Sequence, residues 1–125
     1  MVTGASRGIG AAYVERLAKR GYDLILVARS EAPLKALTAS LASESGRHIT
    51  AIVADLNDEM DLAKVETRLK EDSSITMLVN NAGTCPEEIA RAGMRSCSQC
   101  FDKHVWQNAI DPYPVFFACN SSLFF

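Results

Sequence analysis

Three closely spaced glycines near the start of the chain constrain its fold more than any other feature. Gly4, Gly8 and Gly10 lie where a short apolar segment passes into an amphipathic helix. Gly4 permits a sharp turn after a strand, Gly8 leaves the backbone open to an anion, and Gly10 permits close helix–strand packing. The helix directs its free N–H groups and positive dipole end at the same place. Glycines also form ordinary turns, but this order favours a loop that holds a dinucleotide diphosphate.

The pattern after the loop predicts a strand–loop–helix–strand unit. Ile9, Tyr13 and Leu17 repeat at helical spacing, and Gly21 ends that helix. Residues 24–28 form a continuous apolar run, which is typical of a parallel strand buried on both faces. The loop therefore stands in the βαβ context that dinucleotide binding requires. The predicted cofactor-binding residues of this loop are Gly4, Ser6, Arg7, Gly8, Ile9 and Gly10.

Helices and strands continue to alternate further along the chain. One amphipathic helix is predicted between Pro33 and Gly46, and another is predicted to be capped by Asn57 or Asp58. Such alternation indicates a parallel sheet that helices cover on both faces. The sequence thus predicts an α/β fold. We expect a Rossmann-like doubly wound parallel sheet that is incomplete, with about four strands and flanking helices.

The end of the second predicted strand carries a cation where many dinucleotide-binding proteins carry an acid. Arg29 stands nineteen positions after Gly10 and is followed by Ser30. An acid at this place suits the ribose hydroxyl of NAD, whereas an arginine suits the 2′-phosphate of NADP. A guanidinium binds phosphate through two parallel hydrogen bonds, and Arg7 can converge on the same group. The site therefore favours NADP over NAD, with a solvated loop residue as the alternative interpretation of Arg29.

Two further motifs come directly after predicted strands. Asp55 and Leu56 come after the predicted strand at 49–54, and Asn-Asn-Ala-Gly at 80–83 comes after the predicted strand at 75–79. Open α/β sheets bind their ligands at the carboxyl ends of the strands. Both motifs are therefore expected at the same edge of the sheet as the glycine loop.

The three motifs together resemble the short-chain dehydrogenase/reductase family, whose loop has the form Thr-Gly-x-x-x-Gly-x-Gly. The resemblance covers residues 1–83 and implies that they form a Rossmann-type NADP-binding region. It also implies that Asp55 and Leu56 contact the adenine. The implied lining of the cofactor channel is Asn81, Ala82 and Gly83.

The catalytic residues that the resemblance implies are missing from the rest of the sequence. Similar proteins carry a serine and a Tyr-x-x-x-Lys pair beyond the Asn-Asn-Ala-Gly motif, and the tyrosine supplies a proton to the substrate. None of the three tyrosines here has a lysine four residues later, and the last lysine, Lys103, precedes Tyr113. The one catalytic candidate is Asp111, at the place of an asparagine in the family's proton relay. A helix cap or a turn is the alternative role of Asp111.

The resemblance weakens after residue 83, and residues 84–125 are expected to be a divergent, truncated helical continuation. In the family, later sequence supplies a neighbour on the far side of the strand predicted here at 75–79. That side is therefore expected to be open. An open sheet edge invites pairing with another chain. We accordingly expect homo-oligomers.

Charge, hydropathy and cysteine spacing exclude several other classes of protein. A net charge of −2 provides no basic field for nucleic acid, and no segment approaches the length of a membrane-spanning helix. The first residues do not have the apolar core of a signal peptide, so a cytoplasmic location is expected. Cys97 and Cys100 have the spacing of a redox or zinc pair, and Cys85, His104 and Cys119 could add ligands. A second such pair is missing, so reduced thiols and no bound metal are expected.

These observations leave three functions open. The first is the NADP-binding portion of an oxidoreductase that, at full length, moves hydride between NADPH and a small-molecule carbonyl or alcohol. In that case the chain alone is inactive. The second is a non-catalytic nucleotide- or partner-binding module, and the third is an interaction protein that binds no cofactor. We favour the first, because three motifs occur in the order of the family.

Overall fold

A computed structural model of the protein describes residues 1–82 and the backbone of residues 115–117. The helices and strands are β1 (Val2–Thr3), α1 (Gly8–Lys19), β2 (Leu24–Ala28), α2 (Glu31–Ser45), β3 (Ile49–Val53), α3 (Glu59–Glu71), β4 (Leu78–Asn80) and β5 (Val115–Phe117).

The strands form one parallel sheet with β1 in its middle, in the order β3-β2-β1-β4-β5. The chain winds outward from β1 through β2 to β3, then returns to the other side of β1 to form β4. The strand order therefore reverses at β1, and open α/β sheets bind ligands at the carboxyl end of such a switch point. The predicted doubly wound, Rossmann-like parallel fold is confirmed.

The fifth strand corrects one expectation from the sequence. β5 pairs in parallel with β4, with Leu78 opposite Val115 and Asn80 opposite Phe117. The prediction that the far side of the fourth strand is open was therefore wrong, because backbone groups of the chain itself cover that side. An open edge of β4 therefore no longer supports self-association, which stays a prediction. The remainder of the expected helical continuation over 84–125 lies outside the described residues.

Glycine and aspartate determine where the helices begin and end. Gly21 comes after α1 with φ of 88°, and Gly46 caps the C-terminus of α2 with φ of 64°, so both adopt the left-handed conformation that favours glycine. Asp58, one of the two predicted caps, accepts hydrogen bonds from the backbone N–H groups of Met60 and Asp61 at 3.0 Å each. These boundaries leave the loops after β1, β2 and β3 at the carboxyl edge of the sheet.

Alternate residues of β2 pack into opposite helix layers. Leu24, Leu26 and Ala28 pack against α1 and α2, whereas Val27 packs against α3. The buried helix residues of the two layers are Val14, Ala18, Leu34 and Leu41 on one side and Val65 and Leu69 on the other. Apolar burial on both faces fixes the sheet and, with it, the relative positions of the loops at its carboxyl edge.

Candidate functional site

The loop after β1 depends on glycine at two left-handed positions. Gly4 has φ of 64° and Gly8 has φ of 57°. A Cβ atom on Gly4 would lie 2.9 Å from the Cα atom of Ala82 and from Nδ2 of Asn81, so the loop packs directly on the chain that leaves β4. A Cβ atom on Gly8 would meet no heavy atom within 4 Å. Gly8 therefore presents bare backbone on the open face of the loop, as an approaching anion needs.

Gly10 provides the close packing between α1 and the loop. A Cβ atom at this position would lie 2.1 Å from the carbonyl oxygen of Gly4 and 2.5 Å from Nδ2 of Asn81. No side chain fits into that space without a shift of the backbone. The first turn of α1 is consequently held against the carboxyl ends of β1 and β4.

The N-terminus of α1 has no capping side chain. The N-cap residue Arg7 has extended backbone, its side chain makes no cap hydrogen bond, and the first turn contains no acid. Among residues 1–82, the N–H groups of the first turn and the positive end of the helix dipole thus have no compensating side chain. Such a helix end binds phosphate groups, because both the hydrogen bonds and the dipole favour a negative charge there.

A second cationic position lies where β2 passes into α2. Arg29 and Ser30 are both exposed, and the N-cap residue Ser30 makes no side-chain cap hydrogen bond. Within residues 1–82, neither Arg7 nor Arg29 has a carboxylate within ion-pair distance. Two guanidinium groups and one hydroxyl therefore remain available at this edge for an anionic ligand.

The turn after β3 holds an ionised carboxylate. Oδ1 of Asp55 accepts hydrogen bonds from the backbone N–H and the side-chain Nδ2 of Asn57, at 3.0 and 2.9 Å. These hydrogen bonds lower the pKa of Asp55, and the positive charge of Arg29 lowers it further. Leu56 is half-buried and packs against the layer of α3. The fold thus brings the acid after β3 and the cation after β2 close enough for their charges to interact.

The chain that leaves β4 is tied to the end of β1 by the hydroxyl group of Thr3 and by the side chain of Asn81. Oγ1 of Thr3 donates a hydrogen bond to Oδ1 of Asn80 and accepts hydrogen bonds from the backbone N–H groups of Asn81 and Ala82, all at 3.0 Å. Nδ2 of Asn81 donates to the carbonyl oxygens of Gly4 and Thr3, at 3.2 and 3.4 Å. Sequence reasoning did not include Thr3 among the site residues. Its signal was its place directly before the first glycine, at the end of a buried strand.

Two buried polar atoms at this junction have no hydrogen-bond partner in the described part of the chain. They are Nδ2 of Asn80 and Oδ1 of Asn81, whose residues are 2% and 6% exposed. A buried polar atom without a partner is costly, so its presence beside the loop agrees with a site that receives a polar ligand. The open backbone of Gly8, the uncapped helix and these atoms together fit a dinucleotide.

Several residues named from the sequence cannot be placed in this arrangement. Gly83 and Asp111 lie outside the described residues, as do His104 and the four cysteines, Cys85, Cys97, Cys100 and Cys119. Within residues 1–82 and 115–117, no group of three or more His, Cys, Asp or Glu residues is arranged to hold a metal ion. The expectations about Asp111, the thiols and metal binding stay predictions.

The family of the chain is established by comparison with known proteins. The model of the short chain dehydrogenase family matches residues 1–111, and the chain belongs to that family. In the described part of the chain, no helix combines the length and the apolar character that crossing a bilayer requires.

One solved structure and two curated relatives illustrate the similarity. A short-chain dehydrogenase from Sphingobium yanoikuyae, in complex with NADPH, is 56% identical; the match covers 67% of this chain and 34% of that chain, with a TM-score of 0.66. The very-long-chain 3-oxoacyl-CoA reductase of Coccidioides immitis is 37% identical over 86 residues, 66% of this chain and 24% of the relative. The inactive hydroxysteroid dehydrogenase-like protein 1 of Homo sapiens is 35% identical over 83 residues, 66% and 25% respectively. The chain spans about a quarter of the length of these curated relatives.

Proposed function

We propose that this chain is the NADP-binding portion of an oxidoreductase that moves hydride between NADPH and a carbonyl or alcohol. The observation that carries the proposal is the uncapped N-terminus of α1 beside the open backbone of Gly8. An anionic diphosphate supplies what that helix end lacks. The similar dehydrogenase from Sphingobium yanoikuyae, which was solved with NADPH, supports the same assignment.

The 2′-phosphate of the coenzyme is assigned to the cations at the end of β2. Arg29 and Ser30 would hold that phosphate, with Arg7 contributing from the glycine loop. A carboxylate at the place of Arg29 would instead suit the free hydroxyl of NAD. Because both guanidinium groups are free of ion pairs in residues 1–82, they need not break an internal contact to bind phosphate.

The remaining site residues orient the two ends of the coenzyme. Asp55 and Leu56 are assigned to the adenine, and Asn81, Ala82 and Gly83 to the channel that leads toward the nicotinamide. The ionised carboxylate of Asp55 accepts hydrogen bonds only, which suits a donor on the base. Thr3 fixes the distance between the glycine loop and this channel through its three hydrogen bonds.

Catalysis is assigned to the full-length parent protein and not to this chain alone. Bound NADPH supplies a hydride, and the substrate oxygen then needs a proton donor. The sequence contains no Tyr-x-x-x-Lys, and Asp111 is the one candidate for a relay. We therefore expect the purified 125-residue chain to bind NADPH without turning it over. Steady oxidation of NADPH with any member of a carbonyl panel would contradict this expectation.

A non-catalytic nucleotide-binding module is the second candidate. The missing Tyr-x-x-x-Lys favours it, and one relative, the human hydroxysteroid dehydrogenase-like protein 1, is named as inactive. The two candidates require different coding sequence downstream of residue 125. A serine and a Tyr-x-x-x-Lys encoded directly downstream in the gene would support the first candidate, and their absence there would support the second.

The coenzyme assignment is tested by calorimetric titration of the chain with NADP and with NAD. Arg29→Asp is expected to weaken NADP binding by at least about tenfold, since a charge-assisted hydrogen bond contributes about 1.5–3 kcal/mol. NAD binding should be unchanged or tighter. Arg20→Asp makes the same charge change at the C-terminus of α1, on the opposite edge of the sheet, and should leave the preference intact. Wild-type chain that binds neither coenzyme would instead support an interaction protein without cofactor.

A further inference from the structure

A second acid, outside all three sequence motifs, holds the residue assigned to the adenine. Oδ2 of Asp61 accepts a hydrogen bond from the backbone N–H of Asp55 at 3.0 Å. Asp61 is the third residue of α3, and an acid there ordinarily reaches back to the N–H of the N-cap residue. Here the N-cap is Asp58, and the carboxylate of Asp61 reaches three residues beyond it. The N-terminus of α3 is thereby tied to the end of β3.

Asp61 is itself fixed from two further directions. Its Oδ1 lies 2.6 Å from Nζ of Lys64, and its backbone N–H donates to Oδ1 of Asp58 at 3.0 Å. These contacts leave its side chain 27% exposed. The hydrogen bond from Lys64 is the largest cause of a lowered pKa at Asp61, followed by the hydrogen bond from the N–H of Asp55. The group that holds the backbone N–H of Asp55 is therefore the ionised carboxylate of Asp61, with both of its oxygens engaged.

Asp55 is held at two points: Asp61 fixes its backbone N–H, and Asn57 engages one oxygen of its carboxylate. Both hydrogen bonds from Asn57 go to Oδ1 of Asp55, and Oδ2 has no partner among the described residues. A carboxylate can only accept hydrogen bonds, and the donor on the edge of adenine is its N6 amino group. The orientation of the Asp55 carboxylate consequently decides how well adenine is distinguished from a base without that amino group.

We infer that Asp61 is a positioning residue for adenine recognition: by holding the backbone N–H of Asp55, it directs the Asp55 carboxylate at the N6 amino group of the coenzyme. The inference rests on the proposed function, because it requires a coenzyme with adenine at the end of β3. It assigns to α3 a role in binding in addition to its role in the core.

The test compares two ligands that differ at one group of the base. NADPH and its hypoxanthine counterpart, in which a carbonyl oxygen replaces the N6 amino group, are titrated into the wild-type chain and into Asp61→Ala and Asp61→Asn. The wild-type chain should prefer NADPH. Asp61→Ala should reduce that preference by about five- to tenfold, the effect of one weakened hydrogen bond to a charged group. Asp61→Asn, whose amide oxygen can still accept from Asp55, should retain most of it.

Glu66→Ala is the matched control for these variants. Glu66 is another acid of α3, has a similar exposure of 28%, and pairs with Lys70 at 3.7 Å. The control should leave the ratio of the two affinities unchanged. If Asp61→Ala does not fold, Asp61→Ser provides the same comparison, because its short hydroxyl group does not span the distance to the backbone nitrogen of Asp55.

The other possible outcomes show whether the inference alone fails or the proposed function fails with it. If Asp61→Ala weakens the binding of both ligands equally, or leaves both affinities unchanged, Asp61 has no role in adenine recognition. Either result would overturn the inference alone. Wild-type chain that binds both ligands with equal affinity would do the same. Wild-type chain that does not bind NADPH would overturn the proposed function, and the inference with it.

Discussion

The two edges of the parallel sheet differ in which of their polar groups have partners within the described residues. At the amino edge, side chains bond to nearby backbone groups: Asp23 accepts from the backbone N–H of His48 at 2.9 Å, and Nη1 of Arg47 donates to the carbonyl oxygen of Gly21 at 3.0 Å. Arg68 and Asp72 form an ion pair of 2.8 Å at the same edge. At the carboxyl edge, the helix N-termini after β1 and β2 lack side-chain caps and two arginines lack ion pairs within the described residues.

The difference separates groups that support the fold from groups available to a ligand. A cavity of about 360 Å³ opens at the amino edge, and its lining includes Asp23 and Asp72, whose carboxylates already accept a hydrogen bond or form an ion pair there. This cavity therefore does not mark the candidate site. In residues 1–82, N–H groups without a cap, open glycine backbone and cations without ion pairs favour the other edge, where the strand order reverses.

The largest expected effect comes from filling the contact between α1 and the glycine loop. Gly10→Ala would place a Cβ atom 2.1 Å from the carbonyl oxygen of Gly4, so the helix or the loop must move. We expect the free energy of unfolding to fall by about 3 kcal/mol, the upper part of the range for overpacking. NADPH binding should be lost with it. Chemical denaturation and calorimetric titration measure the two effects.

Gly46→Ala is the control for that substitution. It makes the same change at a left-handed position, φ 64°, where a Cβ atom would meet nothing within 4 Å. Backbone strain should cost about 1 kcal/mol, and NADPH binding should persist. If the Gly10→Ala chain had wild-type stability and binding, close packing at Gly10 would not be what holds α1 against the glycine loop.

The next effect concerns the hydroxyl group that joins β1 to the chain after β4. Thr3→Val keeps the shape of the side chain but removes the donor to Asn80 and the acceptor for the N–H groups of Asn81 and Ala82. Leaving such groups buried without partners should lower the free energy of unfolding by about 2 kcal/mol. NADPH binding should weaken as well, because the loop is then less firmly fixed. Urea unfolding and titration test both parts.

Two other threonine substitutions serve as controls for this result. Thr3→Ser retains the hydroxyl group and should keep most of the stability and binding. Thr38→Val removes a hydroxyl whose one hydrogen bond goes to the carbonyl oxygen of Leu34 within α2, and it should have little effect on NADPH binding. If Thr3→Val and Thr38→Val alter binding equally, the junction after β4 does not position the loop.

Much of the fold could be predicted from the sequence because its signals are local. The glycines of the loop, the apolar run of β2 and the capping by Asp58 each act within a few neighbouring residues. β5 could not be found in this way, because three apolar residues become a strand only when the edge of β4 is there to pair with them. The strand predicted at 75–79 also differs in its bounds, since β4 is Leu78–Asn80.

In the candidate site, too, residues in local motifs could be predicted and residues that act through tertiary contacts could not. The positions of Gly4, Arg29 and Asp55 at the carboxyl edge could be read from motifs whose spacing is visible in the chain. Thr3 and Asp61 were not among the residues predicted from the sequence, because their contacts depend on the tertiary structure. The partners of the Thr3 hydroxyl are 77 to 79 residues away, and the reach of Asp61 back to Asp55 depends on how α3 meets β3.

The smallest expected effect lies at the amino edge and tests whether that edge is separate from binding. Asp72 accepts hydrogen bonds from Ser74 and pairs with Arg68, and the Ser74 hydrogen bonds are the first cause of its lowered pKa. A carboxyl group with a lowered pKa in the folded protein stabilises it above the unfolded pKa of about 3.9, and this contribution disappears as the pH falls through the folded value. Asp72→Asn should therefore lower stability slightly at pH 7, reduce the loss of stability as the pH falls below the unfolded pKa of the carboxyl group, and leave NADPH affinity unchanged. Thermal unfolding across that pH range, with titration at neutral pH, measures this; altered coenzyme affinity would mean that the two edges are coupled through the sheet.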